Sequence, residues 1–359
     1  MDIDADILPA SAEVLPPPRS ATDSHDFAPF IRILGRGPGR SRSLTRAEAR
    51  HALGMVLRGE ARPEQVGALL MLLRYRGEAV EEMAGLVEAA REHAGLPWAL
   101  QRPVDLDWPS YADGRTRGLP WYLLSALLLA QSGLRVVMHG PLHGPGRQPL
   151  VETLARLGIA PSSSAEAANA ALAASGFAFL PLEALSPGLA ELLALRGVLG
   201  LRSPLNTACR LLDPAGASAS VDGVFHPPYI ALHLGAAALL GRRVTVLKGG
   251  GGEAEWTGAK PLAVNDGGPE RIWPVLPGAG KPVSGSVDDL LAVWAGTRLD
   301  MAAETVVVAT AAIALHAVGR SRDPDDCSAR ARALWAQRLT SPAISSRPPP
   351  NAGLHGRGP

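Results

Sequence analysis

The chain has 359 residues, 47% hydrophobic and 19% charged, with a formal net charge of +1. These values fit one large or two medium globular domains with ample core and exclude a disordered or disulfide-stapled chain. The charge is uneven: residues 1–26 are acidic, and nearly all the positive charge further on is Arg, the lysines being Lys248, Lys260 and Lys281. Arg suits bidentate phosphate contacts better than Lys does. The two cysteines, Cys209 and Cys327, follow no metal or redox spacing and are expected as buried free thiols in a reducing cytoplasm. The acidic N-terminus lacks the basic start of a signal peptide.

Residues 1–28, with Pro16, Pro17 and Pro18, and residues 341–359 are rich in Pro, Gly and Ser and read as disordered tails. A small helical domain is expected over 29–100 and a large α/β domain over 101–340, with crossing helices able to join the two. Within 44–94 the pattern predicts three short helices. Thr45 and Glu48 form a capping box, and the first helix stops near Gly59. Pro63 opens the second, which turns Val66, Leu69, Leu70 and Leu73 to one face and ends at Gly77. The third runs from about Val80 to His93 with Met83, Leu86 and Val87 inward. Three helices cannot bury both faces alone, so this unit should pack on the larger domain or on a second copy of the chain.

An apolar helix is expected at 120–131. From about residue 103, helical segments alternate with strands at 135–139, 177–181, 243–248 and, less clearly, 261–265. That order implies a mainly parallel sheet covered by helices, with ligands collecting at the carboxyl ends of its strands. The apolar stretch 302–319 contains Glu304 and His316 and falls short of the about 20 apolar residues of a membrane span, so it reads as a buried helix.

The segment 44–95 resembles the helical domain of glycosyltransferase family 3, the family of anthranilate phosphoribosyltransferase. GLRVVMHG (133–140), LVETLARLGI (150–159), SGFAFLPL (175–182), VLGLRSPLN (198–206) and GVFHPPY (223–229) continue the resemblance in order. It implies a two-domain α/β fold of the nucleoside-phosphorylase/phosphoribosyltransferase type, dimerising through the small domain. It also implies Mg²⁺-dependent chemistry on phosphoribosyl pyrophosphate wherever the family's motifs are intact. Here they are altered. The Gly-Thr-Gly-Gly-Asp loop is replaced by SYADGRTR (110–117), and Lys-His-Gly-Asn-Arg by Met138-His139-Gly140-Pro141 with Arg147 further on. The Asp-Glu metal pair gives way to GGGGEAEW (249–256). These departures are similar to the YbiB-type subfamily, which implies a homodimeric nucleic-acid-binding protein without transferase activity.

Pyrophosphate displacement needs a cradle of converging N–H donors and a held Mg²⁺. Gly114 is the one glycine left in the loop, and Met138 stands where the motif has a cationic Lys. Glu253 and Glu255 could hold Mg²⁺ through water or pair with Arg, and Gly249–Gly252 could form an anion nest or a plain turn. The expected ligand cleft comprises Ser110, Tyr111, Gly114, His139, Gly140 and Asn206. His139 reads as a proton shuttle or a hydrogen-bonded structural residue, and His226 as a turn former. A helix over 204–212 would put Asn206 and Arg210 on one face. Arg196, Arg202 and Arg210, joined by Arg115, Arg117, Arg147 and Lys248, are the expected phosphate-contacting set. Two functions follow as expectations. One is non-specific nucleic-acid binding by a catalytically diverged homologue without cofactor. The other is a Mg²⁺-dependent phosphoribosyltransferase with an unknown acceptor. A small-ligand sensor that keeps the cleft is a third.

Overall fold

The computed structural model describes residues 26–37, 39–112, 118–282 and 285–339. Gly114, Arg115 and Arg117, residues 1–25 and the 341–359 tail lie outside the described residues. The folded part begins earlier than the sequence suggests, because Phe27 is fully buried and Ala28 opens a helix.

Four helices form the first layer: α1 (Ala28–Gly35), α2 (Arg46–Leu57), α3 (Pro63–Arg76) and α4 (Val80–His93). The capping box at α2 is made: Thr45 Oγ1 accepts the Glu48 N–H at 3.2 Å, and Glu48 Oε2 accepts the Thr45 N–H at 2.8 Å. Val66, Leu69, Leu70 and Leu73 of α3 are buried, as are Met83, Leu86 and Val87 of α4. Their core continues without a break into Tyr111, Leu205, Val224, Leu232 and Val246 of the sheet domain. The helical layer therefore buries its apolar side against the rest of its own chain.

The sheet domain has seven strands among the described residues: β1 (Leu106–Pro109), β2 (Val136–Gly140), β3 (Phe177–Pro181), β4 (Ala219–Val224), β5 (Val244–Lys248), β6 (Leu262–Asn265) and β7 (Arg271–Trp273). Their order is β3-β2-β1-β4-β5-β6-β7. The first five run parallel, while β6 and β7 are antiparallel additions at one edge. The helix α5 (Trp121–Gln131) is apolar on all sides because it lies between the sheet and the long helix Met301–Ala317. Ser125 Oγ donates to the Val307 carbonyl at 2.9 Å, satisfying its hydroxyl inside that contact.

The sequence pattern placed β2, β3, β5 and β6. It did not place the short edge strand β7, nor β1 and β4, whose sequences LDWP and ASVDGV carry a Pro, two aspartates and a Gly in place of a β-branched run. These two central strands hold the aspartates on which the site is built.

Candidate ligand cleft

A cavity of about 450 Å³ lies between the α3–α4 side of the helical layer and the carboxyl ends of the central strands. Arg74, Arg196, Arg202 and Arg210 line it together with Tyr111, Asn206, His226, Tyr229 and His233. Arg74 donates to the Tyr229 hydroxyl, tying α3 to the helix Pro228–Leu239 across the cleft. Pockets of about 300–1,000 Å³ are the size class that encloses small ligands.

The floor is a buried three-residue array. Arg210 Nη1 donates to Asp222 Oδ1 at 2.8 Å and to the Gly223 carbonyl at 2.8 Å. His233 Nδ1 lies 2.6 Å from the other oxygen, Asp222 Oδ2, off the line of an ideal hydrogen bond. Asp222 has no exposed surface and His233 is 1% exposed. Burial alone would push the Asp222 carboxyl up. The His233 ring and the Arg210 guanidinium outweigh it and hold the group below the usual carboxylate range. Arg210 is raised: burial opposes its charge, and Asp222 and then Glu253 favour it.

A second row runs behind the cleft wall. The Tyr111 hydroxyl and His139 Nδ1 are 2.8 Å apart, His139 Nε2 lies 3.2 Å from Asp107 Oδ1, and Asp107 Oδ2 accepts Ser220 Oγ–H at 2.9 Å. His139 is completely buried, so only Tyr111 brings this row to the cavity. Burial, then the nearby Cys209 and Asp107, push the Tyr111 phenol well above its ordinary value and keep it protonated. Gly140 sits where any side chain would collide with the Ser110 carbonyl, 2.1 Å from an added Cβ. The close approach of β2 to the segment after β1 depends on that glycine.

Glu253 and Glu255 are buried and turned inward. Glu253 Oε1 accepts the Ala112 N–H at 2.8 Å and the Ser110 hydroxyl at 3.2 Å, with Arg147 Nη1 at 3.7 Å. Glu255 Oε2 accepts the Tyr122 N–H at 3.1 Å. These carboxylates hold the segment that follows β1 and the start of α5. No group of three or more His, Cys, Asp or Glu suited to a metal ion occurs among the described residues. The pair does not fit a Mg²⁺ site, because Mg²⁺ takes carboxylates that reach water and Glu253 is 1% exposed. The glycine run is a turn: the Gly249, Gly250 and Gly252 N–H groups donate to the Val224, Glu255 and Gly249 carbonyls. Amides spent in this way do not converge on an anion.

The expected phosphate-contacting residues separate. Arg196 and Arg202 line the cleft half-buried. Lys248 is exposed at the end of β5. Arg210 and Arg147 are corrected to interior residues, 9% and 4% exposed, because buried carboxylates face both. Arg147 also donates to the Pro141 carbonyl at 2.7 Å and to Ser110 Oγ at 3.1 Å. Of the expected ligand-cleft residues, Tyr111 and Asn206 line the cavity, whereas Ser110, His139 and Gly140 lie behind it. The helix foreseen at 204–212 forms as Leu205–Ala208 followed by a 3₁₀ turn, Cys209–Leu211. His226 caps a turn, its carbonyl accepting the Tyr229 N–H at 3.0 Å, and also lines the cleft. Sequence reasoning missed Arg74, Asp222 and His233. The signal for the last two was a lone Asp in a strand and a lone His in an alanine-rich helix, whose partnership only the fold reveals.

The model of the glycosyl transferase family helical bundle domain matches residues 28–94. The uncharacterized protein YbiB of Escherichia coli (strain K12) is 33% identical over 232 residues, 64% of this chain and 72% of YbiB. The anthranilate phosphoribosyltransferase of Beijerinckia indica is 30% identical over 245 residues, 67% of this chain and 70% of that enzyme. The crystal structure of the Thermus thermophilus anthranilate phosphoribosyltransferase superposes with a TM-score of 0.71 at 25% identity, covering 86% of this chain and 94% of that one. The Saccharomyces cerevisiae enzyme in complex with PRPP and Mg has a TM-score of 0.71 at 16% identity over 87% and 94%, a likeness of fold.

Proposed function

We propose, from the premise that this chain belongs to the glycosyltransferase family that includes the anthranilate phosphoribosyltransferases, that its cleft binds nucleic acid through the sugar-phosphate backbone and does not transfer phosphoribosyl groups. The observation that carries this reading is the division of charge between the two sides of the cleft. The carboxylates that a Mg²⁺-dependent site would need are turned into the protein, Glu253 to Ala112 and Glu255 to Tyr122. The guanidinium groups of Arg196, Arg202 and Arg74 line the open side. Removing one fixed donor from a site that stabilises developing charge costs about 3 kcal/mol, and here the carboxylate pair and the turn amides are all engaged elsewhere. A surface of arginines without base-reading groups binds phosphate with little sequence preference and strong salt dependence. Pairing of two copies through α1–α4 would join two clefts into a longer polyanion track, and the cysteine usage suits the cytoplasm.

The test is fluorescence anisotropy of labelled single-stranded and double-stranded oligonucleotides against the chain and its Arg196→Glu/Arg202→Glu variant. Binding that the double variant loses supports the reading, and unchanged affinity places the contact elsewhere. A second reading, Mg²⁺-dependent phosphoribosyl transfer, is favoured by the 30% identity to an anthranilate phosphoribosyltransferase. It requires pyrophosphate release that disappears in Glu253→Ala/Glu255→Ala.

A further inference from the structure

Phe225 follows β4 at the carboxyl end of a central strand, lines the cleft with Arg196 and Arg202, and is 54% exposed. A single apolar side chain on an open surface needs no explanation, but a ring held in a concave cavity among arginines does. Its backbone is pinned on both sides. The Val224 carbonyl before it accepts the Gly249 N–H at 3.0 Å, and the His226 carbonyl after it accepts the Tyr229 N–H at 3.0 Å. Pro227 and Pro228 then fix the entry to the helix Pro228–Leu239. A ring carried on such a segment is ordered before any ligand arrives, which lowers the entropy lost on binding. The His226 ring, also exposed in the cleft, meets Phe225 edge to face, with centroids 4.7 Å apart and planes at 83°. An edge-to-face pair covers one ring face and leaves the others open. Leu201, 56% exposed, adds a second apolar side chain to the cavity. Ser203 Oγ and Asn206 Oδ1 also line it, buried and without a hydrogen-bond partner among the described residues. Such atoms are costly to leave unpaired, and the sugar or phosphate groups of a ligand would satisfy them.

We propose that Phe225 and His226 form a stacking platform for a base of single-stranded nucleic acid whose phosphates are held by Arg196 and Arg202. The inference rests on the nucleic-acid reading and narrows its ligand to a strand with unpaired bases. Every base has a π-face, so stacking on an aromatic ring adds affinity with little sequence preference. A base inside a duplex keeps both faces against its neighbours and reaches the ring only if it is unstacked. Arginines alone do not draw that distinction, because both forms of nucleic acid present phosphates. The other aromatic side chains of the cavity are engaged: the Tyr229 hydroxyl binds Arg74 and Glu78, and the Tyr111 hydroxyl is turned to His139. Phe225 and His226 are thus the rings left to receive a base.

A free nucleotide carries the same base and phosphate as a strand, so the experiment contains both. Anisotropy is measured on the full chain with a labelled thymidine strand, an abasic strand of equal length and the corresponding duplex, with thymidine monophosphate as competitor. The thymidine strand should bind about tenfold more tightly than the abasic strand, within the range of one stacked base. Phe225→Ala should remove most of that advantage and leave the affinity for the abasic strand and the duplex unchanged, whereas Phe225→Trp should keep it. The slope of log affinity against log salt should be the same for the parent and Phe225→Ala, since stacking releases no counterions, and Arg202→Glu should lower it. Phe225 lies outside the buried apolar clusters, so the melting temperature of Phe225→Ala should match that of the parent. Equal affinity for thymidine and abasic strands overturns the platform alone, as does a thymidine-strand affinity that Phe225→Ala leaves unchanged. A loss shared by all three probes in Phe225→Ala makes the ring a structural residue and overturns it too. Competition by thymidine monophosphate at the concentration that suffices for the unlabelled strand assigns the platform to a free nucleotide and overturns the strand. No binding of any probe at low salt overturns the nucleic-acid reading beneath it.

Discussion

Replacing Asp222 with Asn removes one negative charge and almost no volume from the centre of the molecule. Asp222 is fully buried and the Arg210 side chain is 10% exposed, so the variant leaves a guanidinium inside the protein with an amide and one carbonyl as its partners. Breaking a buried ion pair from one side costs about 3–5 kcal/mol. The remaining acceptors keep the expected loss at about 3 kcal/mol. With an m-value of about 3 kcal/mol per M, that loss is a fall of about 1 M in the urea midpoint. The seven tryptophans supply the fluorescence signal. The pairing of Arg210→Met with Asp222→Leu removes both charges and should recover most of the stability. The sign of the pH dependence follows from the depressed carboxyl. The contribution of Asp222 is complete above the unfolded value of about 3.9 and is lost as pH falls through the lower folded value. The Asn variant should therefore be less sensitive to acid in that window than the parent. A loss below about 1 kcal/mol, or a double variant no more stable than Asp222→Asn, would refute the charge-pair account of the cleft floor.

Gly223→Ala should destabilise the protein and weaken oligonucleotide binding together, because the added Cβ would lie 2.1 Å from the Glu253 backbone and push the loop into the cleft; a thermal melt within about 1 °C of the parent would contradict this. Burial pushes the Cys209 thiol up to about 12 and the Cys327 thiol up to about 11. Neither should react with a thiol reagent at pH 8 until denaturant is added, and rapid labelling of the native chain would show that one is accessible. Millimolar Mg²⁺ should leave the melting temperature unchanged, since a filled native site would raise it by mass action. A rise of several degrees that Glu253→Ala removes would restore the metal pair.

Much of the architecture could be read in the chain because apolar periodicity decides it. Val66, Leu69, Leu70 and Leu73 fall on the buried side of α3, and FAFLP forms β3 over the five residues of that run. The strands that escaped notice are the three-residue edge strand β7 and the central strands β1 and β4, in which Asp107 and Asp222 interrupt the apolar run. Both carboxylates are tolerated in a sheet interior because a histidine from another element reaches each one, His139 from β2 and His233 from the helix Pro228–Leu239. Those partnerships span 32 and 11 positions in sequence and leave no local trace. The arginine pattern misled for the same reason. A guanidinium in a loop beside Pro and Leu looks alike in sequence whether it faces solvent, as Arg202 faces the cleft, or is held inside by a carboxylate, as Arg210 is.

The most direct test of the central claim is the salt dependence of oligonucleotide affinity, measured with Mg²⁺ and phosphoribosyl pyrophosphate first absent and then present. Three arginines on a single strand, Arg74, Arg196 and Arg202, give an expected slope of about −2 in log affinity against log salt, at about 0.7 per phosphate contact. The account predicts that slope, its reduction by about one contact for each of Arg196→Glu and Arg202→Glu, and no release of pyrophosphate in the same samples. Absence of binding at low salt, together with pyrophosphate released from phosphoribosyl pyrophosphate, would contradict it and identify the chain as a working transferase.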